Sequence, residues 1–126
     1  MKGFVLAAGM GERLRPLTAH NPKPLLPVMN IPSICYSLLL LRQAGITDVV
    51  CNLHYRHRDI INFFERHGDF GMNVTFSFEP DILGTGGGVK NCERYLNGEE
   101  FVLVNSDIIL DIDIRDAINT HRQSGA

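Results

Sequence analysis

The sequence predicts an α/β fold, a three-layer α/β/α sandwich around a mainly parallel sheet. Short apolar runs alternate with amphipathic stretches along all 126 residues, which is typical of strands and helices that follow one another. Hydrophobic residues make up 44% and charged residues 21%, as in ordinary globular proteins. A chain of this length forms one domain, residues 1–126, and needs no disulfide or metal to stabilise its core.

The first half of the chain predicts two strands and a helix. Residues 3–8 are a continuous apolar run and predict a buried strand. Residues 9–31 contain four prolines, which predict an irregular segment. Residues 32–44 predict a helix, because a proline suits its first turn and a glycine follows its leucine-rich body. Residues 48–53, DVVCNL, predict the second strand.

The second half continues the alternation. Residues 58–67 predict a helix with an apolar Ile and Phe side, and residues 73–78 predict a strand in which apolar and polar residues alternate. Residues 86–96 predict a helix that opens after a glycine-rich turn. Residues 101–104 predict a fourth, buried strand. Residues 113–123 predict a last helix, with an aspartate as its N-cap.

Three unusual segments follow predicted strands. Ligands of parallel α/β sheets bind beyond the carboxyl ends of the strands. The segments after Ala8, after Phe78 and at Asn105-Ser106-Asp107 occupy such positions. A Rossmann-like sheet would therefore bring these three segments to one edge.

Composition excludes several other classes of protein. Twelve basic residues against fourteen acidic ones give a net charge of -2, which argues against partners such as nucleic acid or an anionic membrane. No run approaches the ~18 apolar residues of a membrane span, and the N-terminus lacks the apolar length of a signal peptide. Cys35, Cys51 and Cys92 are odd in number and form no CxxC pair. We therefore expect reduced thiols in a cytoplasmic protein.

The segment after the first strand predicts an anion site. Gly9 and Gly11 allow a sharp backbone turn whose N–H groups can face a ligand. Arg13 and Arg15 add guanidinium groups that match phosphate oxygens. The dinucleotide pattern GxGxxG fails, because Leu14 stands in the place of its third glycine. The alternative is a tight turn beside two solvated arginines.

A single lysine follows between two prolines. Pro22 and Pro24 restrict the backbone on both sides of Lys23, so this lysine loses less entropy when it contacts a ligand. We interpret it as a preorganised phosphate contact. The alternative is an ordinary proline-rich surface loop.

Together these segments resemble a known family. LAAGMGERLRPLT followed by PKPLLPV resembles the signature of the sugar-phosphate nucleotidylyltransferases, also called NDP-sugar pyrophosphorylases. EPDILGTGGG resembles the nucleotide-base loop of that family, and VNSD resembles its metal-binding strand end. Ser106 stands where a glycine is usual, and because serine is small we expect little disturbance.

The resemblance implies Mg²⁺-dependent transfer of a nucleotidyl group from a nucleoside triphosphate to a sugar 1-phosphate, with release of pyrophosphate. Arg13 and Lys23 would be the catalytic residues, and Asp107 would hold Mg²⁺. No general base is needed, because the attacking phosphate is already ionised. The implied nucleotide-binding residues are Leu6, Ala7, Ala8, Gly9, Gly11, Glu12, Arg13, Arg15, Glu79, Leu83, Gly84, Thr85 and Gly86.

Several of these residues have structural alternatives. The run GTGGGVK approaches a P-loop pattern but breaks it at its end, so base and ribose recognition by backbone groups at 83–86 is preferred. Glu79 would hydrogen-bond base or sugar, or else be a solvated loop carboxylate. Asp107 could cap a turn instead of binding metal. Asp113 is explained as a helix cap, and Asp111 is left open.

The corner after the second strand is ambiguous. Asn52, His54 and His57 would line the pocket. The alternative is a solvated corner formed by His54, Tyr55, Arg56, His57 and Arg58. The sequence alone does not separate these alternatives.

Family members are longer, so the resemblance identifies the chain as the N-terminal half of a catalytic domain, apparently truncated at its C-terminus. We expect the fourth strand to lack a neighbour and to promote self-association. LGTGGG resembles the guanylyltransferases of mannose 1-phosphate and equally the uridylyltransferases of amino-sugar recycling, with a slight lean to guanine. The alternatives are a nucleotide-binding fragment or regulatory module without turnover, and a transferase with another acceptor, such as a cofactor or isoprenoid alcohol.

Overall fold

The computed structural model describes residues 1–96 and 98–125. Its strands are β1 (Lys2–Leu6), β2 (Pro27–Val28), β3 (Ile31–Pro32), β4 (Asp48–Leu53), β5 (Asn73–Phe78) and β6 (Phe101–Asn105). Its α-helices are α1 (Ser33–Gln43), α2 (His57–His67), α3 (Gly84–Asn91), α4 (Glu93–Leu96) and α5 (Ile114–Ser124).

The main sheet is four-stranded and parallel, with the order β5-β4-β1-β6. Leu6, the last residue of β1, is in register with Asn52 of β4 and Asn105 of β6. Leu53 of β4 is in register with Phe78 of β5. The carboxyl ends of all four strands therefore meet at one edge, where the site is expected.

The sheet separates two apolar cores, which confirms the three-layer prediction. Residues of α1, α2 and α5 pack against one face of the sheet, together with Val5, Val49 and Cys51. Residues of α3 and α4 pack against the opposite face, with Phe4 and Val50. Successive side chains of β1 and β4 thus point to opposite layers, as the pleat of a strand requires.

The first strand ends earlier than predicted. Ala7 and Ala8 lie beyond β1, because the amide of Ala7 donates to the side chain of Asn52 (2.9 Å) and not to a neighbouring strand. The segment predicted as irregular is also more ordered than expected. It contains single 3-10 turns at Glu12–Leu14, Leu17–Ala19 and Lys23–Leu25 and the hairpin β2-β3.

The predicted helix over 86–96 is wrong in its start and in its continuity. The helix begins at Gly84, so the glycine run lies inside α3, and α4 follows as a separate helix after Cys92. Glycine disfavours helix by about 1 kcal/mol per residue, which is why the sequence pointed to a turn. Close packing explains the glycine at position 88, because a Cβ there would lie 2.6 Å from Asn52 Nδ2.

Smaller predictions are confirmed. Asp113 caps α5 by accepting a hydrogen bond from the backbone amide of Arg115 (2.9 Å). The guanidinium of Arg115 also hydrogen-bonds to Asp113 and holds the pKa of that carboxyl below its usual value. Cys51 and Cys92 are buried, whereas Cys35 is half-buried, and all three are free thiols. Burial raises the pKa of Cys51 to about 12.

Strand β6 lies at an edge of the sheet, as predicted, since it is hydrogen-bonded to β1 alone within the described residues. Beside it runs an apolar groove of about 380 Å³ between β6 and α5. Across residues 1–96 and 98–125, no helix is both long and apolar enough to cross a membrane.

Candidate functional site

Two adjoining cavities open at the carboxyl end of the sheet. The inner cavity, about 360 Å³, is lined by Leu6, Ala8, Gly9, Arg13, Lys23, Pro24, Asn52, Glu79, Ile82, Gly84, Thr85, Asn105, Ser106 and Asp107. The outer cavity, about 1100 Å³, is lined by Gly9, Met10, Gly11, Glu12, Arg13, Leu14, Lys23, His54, Ile82 and Asp107. Residues from the ends of all four strands of the main sheet thus converge on one cleft.

The glycine-arginine loop forms the wall shared by both cavities. Gly11 adopts φ 66°, a left-handed conformation, and a Cβ there would lie 2.7 Å from Thr18 Cγ2. Thr18 is buried, and its hydroxyl donates to the carbonyl of Gly11 (2.7 Å). This contact holds the turn after which Arg13 reaches both cavities. A glycine is therefore needed at position 11 for conformation and for space.

The backbone of Lys23 is fixed by a hydrogen bond, and its side chain forms an ion pair. The hydroxyl of Ser33 donates to the carbonyls of Lys23 (3.3 Å) and Pro24 (3.1 Å). The Lys23 ammonium lies 2.6 Å from a carboxylate oxygen of Asp107. The two side chains remain about a quarter and a third exposed, so water and ions can reach the pair. The lysine and the aspartate that were predicted separately are thus in direct contact.

Asn52 and Glu79 form a buried polar pair in the wall of the inner cavity. Asn52 accepts from the amide of Ala7 through Oδ1 (2.9 Å) and donates through Nδ2 to Glu79 Oε1 (2.8 Å). Glu79 is fully buried, and its other oxygen accepts from the amide of Leu83 (3.4 Å). The alternative of a solvated loop carboxylate is therefore wrong for Glu79. The pair ties the ends of β1, β4 and β5 together.

The N-terminal end of α3 lines the inner cavity. Gly84, with φ 70°, and Thr85 begin this helix and contribute to the cavity wall. Amides in the first turn of a helix lack partners within the helix, and the helix dipole gives that end a partial positive charge. The start of α3 can therefore offer N–H donors to oxygen atoms of a ligand.

Most of the predicted nucleotide-binding residues line the cleft, but four do not. Ala7 is buried behind the wall, and Arg15 is an exposed residue outside both cavities. Leu83 and Gly86 are exposed and are also absent from the two walls. The remaining predicted residues, including Arg13, Lys23 and Asp107, are brought together.

The acidic residues near the end of β6 do not form a cluster. Among the described residues, no three His, Cys, Asp or Glu side chains come close enough to hold a metal ion together. Asp111 lies outside both cavities, and Asp113 caps α5. Asp107, in contrast, lines both cavities and offers a carboxylate oxygen to a cation in the cleft.

Sequence reasoning left His54 undecided and missed Ile82 as cavity residues. His54 lies in the outer cavity, and its Nδ1 is 2.8 Å from the carbonyl oxygen of Glu79. Ile82 contributes to both cavities. The position of His54 directly after β4, at the carboxyl edge of the sheet, was the signal for it. Ile82 carried no comparable signal, because an isoleucine in a loop is common.

Comparison with known proteins agrees with this geometry. A protein-family model described as Nucleotidyl transferase matches residues 2–126. The chain is 37% identical over 128 residues to mannose-1-phosphate guanyltransferase 2 of Candida glabrata, covering 99% of this chain and 36% of that protein. It is 42% identical over 121 residues to N-acetylmuramate alpha-1-phosphate uridylyltransferase of Neisseria meningitidis serogroup B, covering 95% and 52%.

A solved structure has the same fold over nearly the whole chain. HddC from Yersinia pseudotuberculosis, complexed with GMP-PN, superposes with a TM-score of 0.84 at 28% identity. The match covers 95% of this chain and 53% of that protein. The chain thus spans about a third to a half of the length of these relatives. By the family match over 2–126 and by its fold, the chain belongs to the nucleotidyl transferase family.

Proposed function

We propose that the chain contributes the nucleotide-binding half of a Mg²⁺-dependent nucleotidyltransferase, which joins a nucleoside triphosphate to a sugar 1-phosphate and releases pyrophosphate. The convergence of Arg13, Lys23 and Asp107 on one cleft carries this proposal. Two cations and one carboxylate beside a glycine turn match a reaction between two phosphorylated substrates.

The chemistry asks mainly for positioning and charge neutralisation. An oxygen of the sugar phosphate bonds to the α-phosphorus, and the bond from this phosphorus to the bridging oxygen of the β-phosphate breaks. Pyrophosphate leaves with the electron pair. Because both substrates are anions, they repel each other until cations hold them in line. Arg13 is placed to bind the triphosphate and the departing pyrophosphate, and Lys23 the α-phosphate or the sugar phosphate.

Asp107 is the residue that would hold Mg²⁺. A carboxylate oxygen is the ligand type that this ion prefers, and Mg²⁺ commonly uses only one or two protein carboxylates. When bound, the ion would neutralise negative charge on the phosphate oxygens. In the structure Asp107 is paired with Lys23, so Lys23 would exchange this carboxylate for a phosphate oxygen when substrates bind.

The inner cavity is the place we assign to the base, with the ribose at its opening to the outer cavity. Its wall combines amides at the start of α3 with Leu6, Ala8 and Glu79. Amides and carbonyls on a rigid backbone can read the hydrogen-bonding edge of a base. Glu79 already accepts from Asn52 and Leu83, so we assign it mainly to shaping this wall.

For the substrates we propose GTP and mannose 1-phosphate. The support is the 37% identity to the Candida glabrata guanyltransferase and the structural relative complexed with GMP-PN. The 42% identity to the Neisseria uridylyltransferase favours UTP as the competing nucleotide.

A second candidate is a nucleotide-binding or regulatory unit without turnover of its own. One observation favours it, namely that the chain spans 36% to 52% of its relatives. In this proposal the cleft holds the triphosphate, whereas the acceptor sugar needs a pocket of its own. Binding of a triphosphate without pyrophosphate release would identify this candidate.

Calorimetric titration with GTP and UTP, with Mg²⁺, tests the shared part of both candidates. We expect Arg13→Ala and Lys23→Ala each to weaken binding by about ten- to a hundred-fold, the loss of one charge-assisted contact. Lys90→Ala is the matched control, because Lys90 is exposed and paired with Glu93 (2.6 Å) outside the cleft. If Arg13→Ala and Lys23→Ala bind as tightly as Lys90→Ala, the assignment of the cleft is wrong.

A further inference from the structure

We infer that His54 is a substrate-binding residue that accepts a hydrogen bond from a sugar hydroxyl, either of the ribose or of the acceptor sugar. The inference rests on the proposed function and adds a residue that reads the sugar, beside the residues that bind phosphate. It is carried by the position of the imidazole and by the hydrogen bond that fixes it.

The first step is the tautomer of the ring. Nδ1 of His54 lies 2.8 Å from the backbone carbonyl oxygen of Glu79. A carbonyl oxygen can only accept a hydrogen bond, so Nδ1 carries the hydrogen. In the neutral ring, Nε2 is then left as an acceptor. The bond also fixes the ring orientation relative to the segment that follows β5.

The second step is where Nε2 points. Every buried side-chain nitrogen or oxygen in the described part of the chain has a hydrogen-bond partner. Within residues 1–96 and 98–125, the hydrogen bond of the His54 side chain is the one through Nδ1. Nε2 is therefore accessible, and because His54 lines the outer cavity, this accessible atom is available to a ligand there.

The third step is the chemistry of the partner. The phosphate groups of the substrates are acceptors, and Arg13 and Lys23 in the same cavity are donors for them. A neutral imidazole acceptor cannot bond to a phosphate oxygen. It needs a donor, and the substrates carry donors in their sugar hydroxyls and in the N–H groups of the base. The base is assigned to the inner cavity, whose lining does not include His54, so the sugar hydroxyls are the donors that Nε2 would meet.

Two substitutions separate the two ring nitrogens. His54→Asn places an amide group where Nδ1 lies, so it can still donate to the Glu79 carbonyl, but it has no atom at the position of Nε2. His54→Gln places an amide group near Nε2 and loses the Nδ1 contact. Thermal unfolding of each variant reports whether the Glu79 contact is kept.

Binding is measured by calorimetry at one pH for all proteins and probes. The probes are GTP and UTP, their 2′-deoxy and 3′-deoxy forms, and mannose 1-phosphate. We expect His54→Asn to unfold like the wild type and to bind ribonucleotides about five-fold more weakly, the effect of one neutral hydrogen bond. One of the deoxynucleotides should bind both proteins equally. If the hydroxyl belongs to the acceptor, the five-fold loss appears with mannose 1-phosphate instead.

The contrary results are distinct. If His54→Asn loses the same affinity for ribo- and deoxynucleotides, or binds every probe like the wild type, His54 does not read a sugar hydroxyl. His54→Gln should keep part of the preference for the ribonucleotide, although its unfolding temperature falls. If the wild type binds neither GTP nor UTP, the proposed function is wrong, and the inference fails with it.

Discussion

Substitution of Gly88 by alanine should destabilise the protein although it improves the intrinsic helix propensity of α3. A Cβ at this position would lie 2.6 Å from Asn52 Nδ2 and 2.8 Å from Glu79 Oε1. Neither atom can move freely, because the two are hydrogen-bonded to each other and Asn52 also accepts a hydrogen bond from the amide of Ala7. Overpacking typically costs ~1–3 kcal/mol, and breaking a buried hydrogen bond to a carboxylate adds ~1.5–3 kcal/mol.

Alanine recovers about 1 kcal/mol of helix propensity relative to glycine. The net expectation for Gly88→Ala is therefore a loss of about 3 kcal/mol in the free energy of unfolding. For a chain of 126 residues, this corresponds to about 12 °C in Tm. Thermal and urea unfolding followed by circular dichroism measures both quantities.

Gly86→Ala is the control within the same helix. Nothing lies within 4 Å of a Cβ built on Gly86, so this variant gains helix propensity without a clash and should unfold about 2–4 °C higher. The two glycines thus make opposite predictions. Equal stability of the two variants would refute the argument that close packing on Asn52 and Glu79 requires Gly88.

Three further expectations concern other parts of the molecule. Burial raises the pKa of Cys51 in the folded state to about 12. The contribution of this neutral thiol to the free energy of unfolding is therefore complete below the pKa of an unfolded thiol, about 8.5, and decreases as the pH rises above that value. Urea unfolding at about pH 10 should therefore show that the wild type has lost about 1–2 kcal/mol of its free energy of unfolding, a loss that Cys51→Ala does not show. Equal dependence of the free energy of unfolding on pH in the two proteins would contradict this. Light scattering should show that the wild type self-associates through the edge strand β6. The variant Leu103→Lys should associate less, because a charged side chain on an edge strand opposes pairing. A monodisperse wild-type monomer would count against this edge as an interface. Arg15→Ala should change GTP affinity less than two-fold while Arg13→Ala weakens it at least ten-fold, and similar losses would show that Arg15 also reaches the triphosphate.

The layers of the fold could be predicted because each strand is a short apolar run and each main helix carries an apolar side. Residues 48–53 and 73–78 were predicted with the bounds that the structure has for β4 and β5. The last helix was predicted within one residue, since Asp113 is a cap whose bond is local. Patterns that depend on neighbours in sequence are therefore recovered.

The glycine-rich helix could not be predicted, because its stability comes from a contact that is distant in sequence. Gly88 packs against Asn52 and Glu79, which lie on other strand ends. Propensity scales describe the chain by itself and rank glycine close to the bottom for helices. The end of β1 could not be predicted for the same reason. There the amide of Ala7 donates to the side chain of Asn52, 45 residues away, instead of to the backbone of a neighbouring strand.

The candidate site was predicted in its residues but not in its pairing. Arg13, Lys23 and Asp107 were identified from motifs, and the structure brings them to one cleft. The contact of Lys23 with Asp107 depends on how the irregular segment returns to the sheet, which no local pattern encodes. His54 was ambiguous for a related reason, since its partner is a backbone carbonyl 25 residues away.

Pyrophosphate release by the 126-residue chain tests the central proposal most directly. The assay contains Mg²⁺, one of GTP, UTP, CTP, dTTP or ATP, and a panel of sugar 1-phosphates, with Arg13→Ala and Lys23→Ala beside the wild type. We predict that GTP binds and that any release requires GTP together with mannose 1-phosphate and falls strongly in both variants. Wild-type turnover in both variants would contradict the account, and so would a folded protein that neither releases pyrophosphate nor binds any triphosphate.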